Sequence, residues 1–470
     1  MLFNSLFFIF CFIPLFFLTY FCLPEKWKNP FTLVASILFY TWGAPKFVFV
    51  LSAAVVIDYY FAKQIARTEG NNRKYLWMIA IGTNLSILLY FKYTNFFVEN
   101  ILWFFGSGSQ NVGQILLPIG LSFFTFHEIS YLTDVYRKTK QPFNNIVNYA
   151  LYIFLFPQLI SGPIIRFHEI ADQIKNRNSN DNAENRLLGL FRFAIGLAKK
   201  VLIADVIGVE VDKIFSAATG DIGMTTAWIG AALNLLNIYF DFSGYSDMAI
   251  GLAFILGFRF PENFNSPLIS ESITEFWQRW HISLGRWMRD YLYHPLGGSK
   301  GSLFQTARNV FLIFFVMGFW HGAQWKYILW GSIFGLIVIM ESFFLLRLTQ
   351  KTSKWFRIVF TLLIFIQVLI LFTAKDVYSA WQYFLTLYSF TGDNFNLFFS
   401  TKTELALLAA MFLAFGSANN RLQTFATKLF QPQESNLAYV GMALTTICLF
   451  IVCSSMLFVS GFHPFLYFKF

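Results

Sequence analysis

The sequence predicts an all-α integral membrane protein, roughly ten to twelve transmembrane helices plus re-entrant or interfacial helices. Three observations carry that reading. First, of 470 residues 56% are hydrophobic and only 13% charged, about half the charge of an ordinary globular chain. Second, the apolar runs are long and unbroken, as from Leu2 to Cys22, where about 20 apolar residues suffice to cross a bilayer. Third, they do not alternate as barrel strands do, and helices satisfy their own backbone in lipid.

The candidate spans follow in order. After Leu2–Cys22 come Phe31–Trp42 and Phe47–Ile65, separated by the turn signal Gly43-Ala44-Pro45. Tyr75–Tyr93, Thr94–Phe105, Ile115–Leu132 and Ile146–Leu159 follow, with an uncharged loop at Gly106–Gly113. Leu187–Ile207 is interrupted by Lys199 and Lys200, which suits a segment lying on or dipping into the membrane. Trp228–Phe258 is long enough for two bent or broken pieces. Phe304–Trp320, Trp325–Phe344, Phe356–Phe372, Glu404–Phe415 and Ala438–Val459 complete the set. The first run has no basic residue before it and exceeds a signal-peptide core, so it reads as a span. The whole chain, 1–470, reads as one polytopic membrane domain without room for a soluble domain.

The net charge of +10 sits in loops. Lys63 to Lys74 holds four basic residues against one acid, and Arg137 to Lys140 holds three. Arg166 to Arg192, Arg279 to Arg308 and Arg347 to Arg357 are also basic. This pattern predicts cytoplasmic loops facing anionic membrane lipids, not nucleic acid. Glu210–Asp221 reads as the opposite face. The four cysteines, Cys11, Cys22, Cys448 and Cys453, lie in apolar runs; they predict buried side chains rather than disulfides or a metal site.

Polar groups inside spans are candidate functional groups because lipid makes them costly. The most unusual stretch runs from Glu275 to Gly298. Trp277, Trp280, Leu284, Trp287, Met288 and Tyr291 recur there at helical spacing, with Arg279, Arg286 and Arg289 between them. That suits an amphipathic helix at the interface, and His281 among the tryptophans marks it as more than an anchor. His321 ends an apolar run within Gly318-Phe319-Trp320-His321-Gly322. Small neighbours would let a substrate approach an imidazole able to exchange a proton near neutral pH. The alternative is a packing histidine. No carboxylate or cysteine cluster accompanies either ring, so no metal is expected.

Asp241-Phe242-Ser243-Gly244-Tyr245-Ser246-Asp247 places two acids in an apolar stretch. They suit either hydrogen-bonded anchors of a helix or an ion path, the anchor being the preferred reading. Pro157–Pro163 suits a re-entrant or pore-lining turn. His127, His168, His294 and His463 lack comparable context. The sequence has no P-loop, GxGxxG, HExxH or GxSxG, which argues against pumps, Rossmann enzymes, zincins and serine hydrolases.

Five stretches carry a family resemblance: LPIGLSFFTFHEISYLTDVYR (117–137), FPQLISGPIIR (156–166), DFSGYSDMAIG (241–251), FWQRWHISLGRWMRDYLYHPLGG (276–298) and GFWHGAQWKYILWG (318–331). With the ending HPFLYFKF (463–470), they resemble the membrane-bound O-acyltransferases, in the bacterial alginate O-acetylation subgroup. The resemblance implies a ring of helices around a central tunnel, with His321 as the catalytic histidine and His281 as the second family histidine. Many relatives have a further histidine where this chain has Phe334. The implied reaction takes acetyl from a thioester donor, most simply acetyl-CoA, with no bound cofactor. Arg279, Arg286, Arg289 and Trp320 would serve donor binding. Asp241, Ser243 and Asp247 would be tunnel or structural polar groups. The implied partners are an extracytoplasmic or membrane-anchored acetyltransferase and a polysaccharide, and the implied location is the bacterial inner membrane. D-alanyl, lipid or protein acyl transfer, a transporter working through its acids, and a scaffold are the rival readings.

Overall fold

The computed structural model describes residues 3–106, 115–217, 221–390, 392, 397–431, 435–461 and 464–465. Among them every regular element is a helix, and the one strand-like feature is an isolated bridge between Phe264 and Trp280. The loop expected at Gly106–Gly113 falls, apart from Gly106, outside the described residues, as does His463. The chain divides into two compact units, Met1–Leu190 with Met248–Pro261, and Phe191–Asp247 with Glu262–Phe470.

The first unit contains α1 (Phe8–Cys22), α2 (Glu25–Gly43), α3 (Val48–Arg67), α4 (Gly70–Phe104), α5 (Leu121–Tyr136), α6 (Ile146–Phe154) and α7 (Phe167–Lys175). The Gly43–Pro45 signal is a turn: the Ala44 N–H closes α2 on Tyr40 O, and α3 starts at Val48. Tyr75–Phe105, read as two spans, lies in one helix through a π-turn at Leu89–Tyr93. Phenylalanines 8, 12, 16, 39 and 156 interlock as the aromatic packing of α1 and α2. Both carboxylate oxygens of the buried Asp58 on α3 accept from Asn84 Nδ2 on α4, at 3.0 and 2.8 Å.

Pro157–Pro163 is non-helical and entirely buried. Gly162 is required there, because a Cβ would lie 2.5 Å from Pro157 O. The exit of this segment is pinned by Ile165 N–H donating to His127 Nε2 (3.3 Å) and Phe167 N–H to Ser130 Oγ (2.7 Å). His127 is thus a structural acceptor, and irregular backbone at membrane depth is sheltered by protein.

The helices α8 (Ala183–Ala198) and α10 (Met224–Ile255) contribute residues to both units. The second unit adds α9 (Asp205–Ser216), α11 (Ile273–Arg279), α12 (Ile282–Met288), α13 (Leu303–His321) and α14 (Trp325–Thr349). It continues with α15 (Lys354–Thr373), α16 (Val377–Thr386), α17 (Thr401–Phe415), α18 (Asn420–Lys428) and α19 (Asn436–Ser460). Trp228–Phe258 is therefore not two pieces but lies mostly in one 32-residue helix. Its polar centre does not break it because the acids are paired. Gly244 also admits the α8 backbone, with a Cβ there only 2.8 Å from Gly196 O.

Among the described residues seven helices are long and apolar enough to cross a membrane: α3, α4, α13, α14, α15, the helical stretch Thr401–Ala418 and Asn436–Val459. Their outward side chains are apolar, among them Phe49, Trp103, Leu329, Leu363, Leu408 and Ile451, as a lipid-facing surface requires. The runs at Ile115–Leu132 and Ile146–Leu159 form the shorter α5 and α6, each flanked by turn or loop backbone. The cysteines are free, but Cys11, Cys22 and Cys448 face outward, and only Cys453 is buried. The fold is that of an all-α integral membrane protein.

Candidate active site

The stretch Glu275–Gly298 is not one amphipathic interfacial helix. It is broken at His281, whose φ of 45° and ψ of 51° put it in the left-handed region, unusual for a residue with a Cβ. The break separates α11 from α12. The N-terminus of α11 is held by Glu341 on α14: its carboxylate accepts from Ile273 N–H and Thr274 N–H, each at 2.7 Å. Glu341 is buried, so the helix end and the acid satisfy one another. One turn on, Trp277 packs against Trp330 and Phe334 of α14, with ring centroids 5.7 and 5.1 Å apart.

These contacts give α11 a direction. It starts beside Glu341, near the end of α14 that continues into Arg347, and climbs toward Trp330. At the tip, His281 lies 6.5 Å from Trp320, centroid to centroid. The chain then returns, since Asn309, on the second turn of α13, donates to Leu296 O and Gly298 O at 3.1 and 3.0 Å. The hairpin α11–α12 is therefore re-entrant, opening and closing at the basic end of α13, α14 and α15.

His321 stands at the opposite end of α13, about 27 Å along it from Leu303 at 1.5 Å per residue. Its ring meets Trp320, Trp330 and Phe372 at 4.7, 5.2 and 5.2 Å. It is half-buried, whereas Trp320 and His281 are buried. The flanking glycines serve packing rather than substrate approach. A Cβ on Gly318 would lie 2.3 Å from Tyr327 O, one on Gly322 2.4 Å from the Tyr327 ring, and one on Gly331 2.3 Å from Phe314 O. α13 and α14 thus meet backbone to backbone, which fixes the imidazole at the end of α13.

The site that emerges is a run of rings, His281–Trp320–His321–Trp330–Trp277. Trp277 Nε1, Trp330 Nε1 and His281 Nε2 are buried with no hydrogen-bond partner among the described residues. Unsatisfied polar atoms of this kind are rare in a folded interior. Phe334 is fully buried against Trp277, Trp330 and Phe365.

The remaining sequence candidates fall outside this run of rings. Arg279 pairs with Glu275 at 2.7 Å along α11. Arg286 and Arg289 are exposed, the latter 3.6 Å from Asp290. Trp320 lies between the two imidazoles. Asp247 receives Arg192 (2.8 Å) and Lys199 (2.6 Å), and Arg192 also holds Glu262 (2.5 Å). Lys200 bridges Asp205 and Asp241, each at 2.6 Å, and stands 4.7 Å from the Phe465 ring. Both acids of the Asp241–Asp247 motif are therefore ion-paired, the anchoring arrangement. Ser243 Oγ is buried without a hydrogen-bond partner among the described residues. His168 meets Asp134 at 2.9 Å and His294 lies 3.8 Å from Asp290. Among the described residues no group of three or more His, Cys, Asp or Glu is placed to hold a metal ion.

Glu341 and Asn263 were not singled out in the sequence. Glu341 carried a signal, as a lone acid in an apolar run. Asn263 carried none: it reaches His281 across 18 positions.

A polytopic helical membrane protein with two histidines gathered at a buried aromatic centre is the class that fold and site define. Residues 143–381 match the membrane-bound O-acyltransferase family. The chain is 41% identical to a probable alginate O-acetylase AlgI of Azotobacter vinelandii, over 84% of this chain and 79% of that one. It is 36% identical to a probable alginate O-acetylase AlgI of Pseudomonas putida over the full length of both. It is also 39% identical to a peptidoglycan O-acetyltransferase of Helicobacter pylori, over 72% of this chain and 69% of that one. This chain belongs to the membrane-bound O-acyltransferase family, and it is an O-acyltransferase.

Proposed function

We propose that the chain moves an acetyl group from a cytoplasmic thioester, most simply acetyl-CoA, toward an extracytoplasmic polysaccharide, in the bacterial inner membrane. The observation that supports this best is the re-entrant hairpin. It runs from a basic end, which the distribution of Lys and Arg assigns to the cytoplasm, to the aromatic centre beside His321. Arg286 and Arg289 are exposed on the returning arm of the hairpin and suit the phosphates of a coenzyme. The acceptor class follows from the relatives, whose names specify alginate and peptidoglycan O-acetylation.

In this reading His321 acts as general base. It takes the proton of an acceptor hydroxyl; the oxygen attacks the thioester carbonyl, the C–O bond forms and the C–S bond breaks. The departing thiolate takes the proton back from the imidazolium, so the base is regenerated. His281 orients the donor or relays the proton. A separate extracytoplasmic or membrane-anchored acetyltransferase passes the group on to the polymer.

The test is transfer of labelled acetyl from acetyl-CoA in proteoliposomes supplied with a candidate acetyltransferase and polysaccharide. Base catalysis is worth roughly 10²–10⁴-fold, so His321→Ala in a folded protein is expected to lower transfer by about that factor. Transfer that survives the substitution overturns the role of His321.

A further inference from the structure

We propose that Asn263 is a positioning residue of the reaction centre: it holds His281 in the tautomer that leaves a lone pair on Nε2, making this ring a proton acceptor. This rests on the reading of His281 as part of that centre.

The orientation of the Asn263 amide follows from groups that can act in one way only. The backbone N–H of Ser283, which can only donate, meets Asn263 Oδ1 at 3.3 Å, and Ser283 Oγ donates to the same atom at 2.9 Å. The other end, Asn263 Nδ2, donates to Ser246 Oγ on α10 at 3.0 Å. The oxygen is thus the atom that faces α12, and an amide oxygen has no hydrogen to give. His281 Nδ1 lies 3.0 Å from that oxygen, so Nδ1 carries the hydrogen. A neutral imidazole has one N–H; Nε2 therefore holds the lone pair.

The main chain supports the same assignment. Asn263 O accepts from Ile282 N–H at 3.0 Å, and Asn265 N–H donates to Arg279 O at 2.9 Å. These bonds straddle His281 and keep it in its left-handed conformation, a strain that persists only where surroundings impose it. His281 is 3% exposed, and its Nε2 has no hydrogen-bond partner among the described residues. A buried acceptor of this kind takes a donor from outside the protein, a substrate or a water. The orienting group is a neutral amide, not the carboxylate of a serine-protease triad, so it fixes the tautomer without holding a charged imidazolium. His281 in this state cannot donate to a carbonyl oxygen. Its ligand is the proton of a hydroxyl or thiol.

The chain has six histidines, few enough for a direct reading. Full-length protein labelled with ¹⁵N-histidine in bilayers gives one tautomer signature per ring, and His281→Gln identifies the signal of His281. The expected spectrum has Nδ1 protonated and Nε2 bare. Asn263→Leu is expected to scramble it, and Asn263→Asp, which keeps an acceptor, to preserve it. A wild-type ring protonated on Nε2, or an Asn263→Asp ring switched to that form, overturns the proposal, even if Asn263→Leu fails to fold.

Acetyl transfer then separates positioning from mere packing. Asn263→Leu is expected to lower kcat roughly 10- to 1,000-fold with KM for acetyl-CoA little changed. It is expected to add less than about twofold in a His281→Ala background, because the two act as one unit. A full further loss there means Asn263 acts on the fold alone. Transfer that survives His281→Ala sinks the site reading instead, and with it any catalytic purpose for Asn263; the spectrum still decides the tautomer.

Discussion

The two site histidines owe their surroundings to different neighbours, His321 to glycines of its own motif and His281 to an asparagine outside its motif. His321 stands where Gly318 and Gly331 let two helices touch; His281 stands where Asn263 holds a strained turn. At this scale His281→Ala is expected to lower acetyl transfer with little loss of folding, since the deleted ring has one partnered nitrogen and one bare one. Matched thermal midpoints and unequal rates in the same proteoliposomes would bear this out. A variant that loses both together would make His281 a packing group. His127 is the contrasting case. It accepts a backbone hydrogen bond in a fully buried turn, so His127→Ala is expected to destabilise the fold by about 1–3 kcal/mol, the cost of stranding a buried donor.

Among the elements, the re-entrant hairpin depends on the carboxylate at its start. Glu341→Ala removes the acceptor for two backbone N–H groups and is expected to loosen α11, at a cost of roughly 1–3 kcal/mol. Glu341→Gln keeps one acceptor and is expected to lose less. Hydrogen exchange of Ile273 and Thr274 amides, faster in the alanine variant than in the glutamine one, is the measurement. Equal protection in both would exclude the cap. The α13–α14 contact is equally specific. Gly331→Val places side-chain atoms where Phe314 O now lies, and overpacking of this kind costs about 1–3 kcal/mol or more. A variant as heat-stable as the parent would show that the helices can part without loss.

For the whole molecule, the decisive feature is how its intramembrane charges are spent. Arg192, Lys199, Asp247 and Glu262 form one paired group, and Lys200, Asp205 and Asp241 another. Breaking a buried pair by removing one partner costs roughly 3–5 kcal/mol. Asp247→Asn is therefore expected to lower yield and melting temperature well before it alters the acetyl-transfer rate of the surviving folded protein. A stable Asp247→Asn protein with abolished transfer would reassign that acid to the chemistry, and ion flux lost in it would revive the transporter reading.

Composition, run length and the lack of alternation determined that the chain is an all-α membrane protein, because lipid admits only helices or closed barrels and barrel strands alternate. The motifs marked His281 and His321, and the two acids of Asp241–Asp247 could be read as anchors because unpaired charge is so costly at membrane depth. What the sequence could not decide was direction and pairing. Helical spacing through Trp277–Tyr291 suggested one continuous helix, since periodicity does not register a single left-handed residue at His281. The length of Trp228–Phe258 suggested a break, since the lysines that neutralise its acids come from an earlier segment. Gly318 and Gly322 read as room for a substrate until Tyr327 was seen to fill it. Asn263 was invisible for the same reason: its hydrogen bonds join positions far apart in sequence, and only the folded chain brings a particular amide oxygen to a particular ring nitrogen.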